Sequence, residues 1–118
     1  MGKRARRRGA VEKLSAPDAT YTSPGGDELV LRGSMTAKTR QQYASVLHGG
    51  LQQEDAWQRA VEFLFERLAV RWTVSGVPTE GQKALLMRFR VATQDERRWI
   101  RDVLREHLTE HFPDVEAP

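Results

Sequence analysis

The chain has no cysteine and no asparagine, a single isoleucine (Ile100), and four lysines against fifteen arginines. The missing cysteine excludes a disulfide framework, a thiolate metal site and a cysteine nucleophile. No apolar run approaches the roughly 20 residues that a membrane-spanning helix needs, so no membrane partner is expected. The basic N-terminal residues are not followed by an apolar segment, as a secretory signal would require. Met1-Gly2 opens like an acylation site, but Arg6 stands where Ser or Thr is wanted. A soluble, cytoplasmic protein is expected. The scarcity of Asn, Ile and Lys matches a GC-rich codon bias, so part of the arginine content reflects codons rather than phosphate contacts.

Catalytic patterns are equally scarce. There is no Walker loop and no Gly-x-Gly-x-x-Gly, and Gly25-Gly26 lacks the downstream helix and lysine that would cradle phosphate. Ser75 lacks the glycine two residues before it that a nucleophile elbow carries. The carboxylates are scattered over helix surfaces rather than paired inside an apolar run. One motif does match: His107-Leu108-Thr109-Glu110-His111 fits the H-x-x-E-H pattern of inverted zincins. Histidines four apart share a helical face and could share a metal. Only seven residues follow, however, and histidines in a last helical turn also interact favourably with the terminal carbonyls. The same holds for His48 before Gly49-Gly50. The expectation is a non-enzyme with no metal and no cofactor.

What is present is charge, unevenly placed. Residues 1–13 carry six basic side chains against Glu12, a net +5, while the remaining thirteen basic and fifteen acidic residues give −2. The net +3 of the whole chain therefore belongs to its leader. Lys3, Arg4, Arg6, Arg7 and Arg8 can neutralise several phosphates, releasing counterions in a sequence-independent way. Arg97, Arg101 and Arg105 follow at steps of four and form a second ridge, with Arg98 beside it. Asp95, Asp102 and Glu106 are close enough to pair with several of these, so a solvated helix face competes with a phosphate-binding one. Nucleic acid or ribonucleoprotein is the expected partner class. The alternative is a protein–protein adaptor or assembly factor, or a homodimer.

The expected fold is mostly α. A disordered basic tail (1–20), too polar to bury a core, is expected. It precedes a single helical domain (21–112), with a loose tail (113–118) after it. Tyr21–Arg32 reads as a small N-terminal hairpin around Pro24-Gly25-Gly26-Asp27. About four helices follow, packed around one at 54–74. In that helix Trp57, Val61, Leu64, Leu68 and Trp72 recur at helical steps and make one stripe, which Phe65 widens. The β-branched run Val70–Val74 leaves a short strand open as its ending. Phe63 and Val70, seven apart, would project from the opposite side and could meet a partner. The other helices start at Thr36, at a Thr79/Gln82 capping box and at a Thr93/Glu96 capping box. The order of hairpin then helices resembles small phage assembly proteins, a likeness of layout that carries no motif.

Overall fold

The computed structural model describes residues 16–49 and 52–118. Its elements are β1 (Ala19–Thr22), β2 (Glu28–Leu31), α1 (Ala37–His48), α2 (Gln53–Leu68), β3 (Ala69–Val74), β4 (Val77–Glu80), α3 (Gln82–Arg90) and α4 (Gln94–His111). The four strands form one antiparallel sheet in sequence order. The expectation of a mostly helical protein with a single hairpin is therefore corrected. The chain is α+β, with two hairpins, each followed by two helices.

The correction falls on the central helix. The four-residue step from Leu68 to Trp72 has helical spacing, but α2 stops at Leu68 and Trp72 sits on β3. Val70, Thr73 and Val74 prefer extended backbone. A lone hairpin is marginal, and each hairpin here gains its third strand from the other. β2 pairs with β3 as Leu29 opposite Trp72 and Leu31 opposite Ala69, with a register shift at Val30/Leu31. That irregularity absorbs the odd count between Ala69 and Trp72, so both face the core.

The β3–β4 turn is Ser75-Gly76, at φ of 51° and 80°. Two successive positive values are the signature of a type I′ hairpin turn, whose twist suits the flanking strands. The Ser75 N–H donates to the Asp27 carboxylate at 3.1 Å, which ties the turns of the two hairpins together. Pro78 has no N–H to give and lies on the edge strand, where that loss is tolerated. Thr79 is thus a strand residue opposite Trp72, and the expected Thr79/Gln82 capping box does not form. α3 begins instead after Gly81, at φ 89°, with no side-chain cap.

The other two helix starts follow the sequence. Thr36 accepts from the Thr39 N–H. Thr93 accepts from the Glu96 N–H while the Glu96 carboxylate accepts from the Thr93 N–H, a complete capping box.

Alternation along the strands sorts two faces. Tyr21, Leu29, Trp72 and Thr79 form one row across all four strands. This row meets the helices: Phe65 of α2 packs edge-on against Trp72 at 5.8 Å and stacks on Phe89 of α3 at 4.9 Å. Leu29, Leu31, Leu64, Phe65, Trp72, Leu85, Ile100 and Leu104 are fully buried there. The opposite face carries Thr20, Thr22, Glu28, Arg71, Pro78 and Glu80, all exposed, with Val30 its one buried side chain. The molecule is two layers, a sheet covered on one side.

The segment expected as a loose C-terminal tail runs back across α1. The Tyr43 hydroxyl donates to the Glu116 carbonyl, Arg40 pairs with Asp114 at 3.2 Å, and Val115 and Ala117 pack on the core.

Candidate binding groove and the charged ridge

The zinc-like motif is resolved by its hydrogen bonds. His107 is completely buried on α4. Its Nε2 lies 2.7 Å from the Arg32 carbonyl oxygen, which can only accept, so Nε2 carries the proton. Its Nδ1 is then an acceptor for the Tyr21 hydroxyl, also at 2.7 Å. Both ring nitrogens are engaged by the protein itself. Burial holds the imidazole below its ordinary range, and neighbouring His111 adds to this, against the Arg32 hydrogen bond and Glu110. Burial, with Glu110 and Glu106 nearby, pushes the Tyr21 hydroxyl up to about 12. The pair is a neutral bracket between β1 and α4. Among the described residues, no three metal-binding side chains gather.

A second, partly buried network joins α3, α4 and the sheet. Arg88 lies over the Trp72 ring at 4.6 Å and donates to Glu96 at 2.7 Å. Burial pushes the Glu96 carboxyl up, but the Thr93 backbone N–H, Arg88 and the Thr93 side chain together hold it below the usual carboxylate range. This ion pair is partly screened from solvent and shares its carboxylate with a helix cap, which places it in the core framework.

The arginine ridge of α4 is split by its surroundings. Arg97 lies over the Phe89 ring at 5.4 Å and donates to the Arg90 carbonyl at 2.7 Å. Arg101 lies over Trp57 at 5.5 Å, and its Nε is buried without a partner among the described residues. Arg98 pairs only loosely with Asp95, at 3.9 Å. Arg105 is exposed farther along the helix. Arg97, Arg98 and Arg101 thus form one wall of an open groove of about 610 Å³, to which Arg105 does not contribute. The other wall is the N-terminal half of α2, with Glu54, Asp55, Arg59 and Glu62. Trp57, Val61 and Phe89 line its floor. Glu62 is bound to Arg90 at 2.9 Å. Among the described residues neither Glu54 nor Asp55 has an ion-pair partner.

Compared with known proteins, the chain matches no family model, no curated relative and no solved structure.

The remaining expected site residues fall elsewhere. Lys3, Arg4, Arg6, Arg7 and Arg8 lie outside the described residues. Phe63 and Val70 do not share a helical face, because Val70 is a strand residue. Phe63 is half-buried, stacked against Tyr43 at 6.4 Å and covered by Arg67 at 5.1 Å. Sequence reasoning missed the groove because it treated Trp57 purely as core. Arginine four residues apart beside aromatics elsewhere in the chain was the available signal, and only the crossing of α2 and α4 brings the two together.

Proposed function

We propose that this is a small, non-enzymatic binding protein whose basic N-terminal arm engages nucleic acid or another polyanion. The observation that carries the reading is the separation of charge: residues 1–13 hold a net +5 on a chain whose remainder is −2. Arginine-rich segments of this density neutralise phosphate without reading bases. Three features of the folded part support assigning the role to the arm. Arg97 and Arg101 are engaged with aromatic rings. Acidic side chains stand across the groove from them. The buried histidine is fully hydrogen-bonded within the fold.

The rival adaptor reading through Phe63 and Val70 has its surface divided between α2 and β3. The test is fluorescence anisotropy with a labelled duplex over a salt series, using the full chain and a variant lacking residues 1–13. With five arm cations on phosphate, the slope of log K against log salt should be roughly −4.5 for the full chain and near zero for the truncated one. Equal affinity of the two would remove the arm from the account.

A further inference from the structure

The α2–α4 groove carries charge of both signs on facing walls, and its occupant has to satisfy both. A nucleic acid lying on Arg97, Arg98 and Arg101 would be held beside Glu54 and Asp55, which repel phosphate, while Glu62 is already matched by Arg90. A uniformly basic peptide would meet the arginine wall in the same way. The surface that fits is one with an acidic and a basic strip at the same separation, in reversed order. The groove itself is such a surface, because a two-fold rotation exchanges its walls. In an isologous pair every contact occurs twice, so one match of walls gives two.

We propose that the α2–α4 groove is a self-association surface, in which Glu54 and Asp55 of one copy face Arg97 and Arg98 of a second copy, and reciprocally. The proposal rests on the groove alone and is independent of the arm. Its centre suits the role. Trp57 is half-buried and has a guanidinium stacked on it, and aromatic and arginine side chains are the types that dominate interface energetics. Stacking also orders Arg101 and Arg97 before any partner arrives, which lowers the entropy lost on docking. Glu54 and Asp55 are exposed in the first turn of α2, and Arg97 and Arg98 are exposed across the first and second turns of α4, so the folded monomer already sets the backbone spacing of the two pairs.

The experiment is light scattering on the full chain over a concentration series, with two double variants. Glu54→Arg with Asp55→Arg makes both walls basic. Arg97→Glu with Arg98→Glu makes both walls predominantly acidic. The wild type is expected to run at twice the monomer mass, and each variant alone to weaken association at least tenfold. An equimolar mixture of the two variants is expected to restore the dimer mass, because an all-basic groove then meets an acidic one. Restoration also demonstrates that both variants are folded. A monomeric wild type, a dimer untouched by either variant, or a mixture that stays monomeric would each overturn the proposal.

Discussion

At the scale of single residues, the most constrained position is His107. Its two hydrogen bonds leave no lone pair for a metal and fix its tautomer, so the side chain is a cross-brace between α4, Tyr21 and the Arg32 backbone. Replacing Tyr21 by Phe would leave a buried ring nitrogen without its donor, at a cost of about 1–3 kcal/mol. Urea denaturation at pH 7.5 should register the full loss. The brace also has a pH signature. Burial makes His107 harder to protonate in the fold than in the unfolded chain, where its value is near 6.5. Between those two values the unfolded state binds more protons, so the stabilisation is complete above about pH 6.5 and declines as pH falls through the lowered folded value. Glu110 and His111 on its own helix, Tyr21 on β1 and the Arg32 carbonyl are the polar groups that face it. A thermal melt taken from pH 7.5 to 5 should show a falling midpoint, and His107→Gln should flatten that limb. An equally steep fall in the variant would place the effect on other groups.

At the scale of elements, the second hairpin shows how tertiary pairing overrides periodicity. Trp57, Val61, Leu64 and Leu68 keep their helical stripe, and the Thr93/Glu96 box starts α4 as its spacing implies. Trp72 continues the same arithmetic and yet belongs to a strand, because β2 offers it a ladder on one side and β4 on the other. The local clue was Ser75-Gly76 between two β-forming stretches, a two-residue turn signal. Thr79 misled for the related reason that its threonine-to-glutamine spacing matches a cap, while its backbone is held in β4. The turn itself is testable. Ser75 holds φ of 51°, a region that asparagine enters more readily than serine. Ser75→Asn should therefore stabilise the fold by roughly 0.5 kcal/mol, seen as a small rise in the thermal midpoint. A fall would show that the Ser75 hydroxyl makes a contribution of its own.

At the scale of the whole molecule, the fold is a half-covered sheet closed by its own C-terminal residues. Pro113 to Pro118 lie across α1, where Tyr43 donates to the Glu116 carbonyl and His48 meets the Glu116 carboxylate at 2.8 Å. Arg40, which pairs with Asp114, also lies over the Phe112 ring at 5.2 Å. Burial, with Glu116 nearby, pushes the Tyr43 hydroxyl well above its ordinary value, as suits a phenol that stays protonated and donates. The exposed ion pairs add little. Removing residues 113–118 should nevertheless cost about 2 kcal/mol, from the lost packing of Val115 and Ala117 and one phenolic hydrogen bond. Urea denaturation of the truncated chain measures this. An unchanged transition would mean that the segment rests on the fold without stabilising it.

Composition and spacing alone settled the distribution of charge between leader and body, the first hairpin, the starts of α1 and α4, and most of the residues that make the core. These are local matters: a turn sequence, a cap, or an apolar residue every third or fourth position acts through neighbours in the chain. Tertiary structure decided where α2 ends, which face of the sheet is covered, that His107 is a brace, and that Trp57 and Phe89 floor a groove with opposed charges. Each of those depends on groups far apart in sequence, Tyr21 with His107 or Glu54 with Arg97. Pairing energies between distant segments are not written in the period of either one.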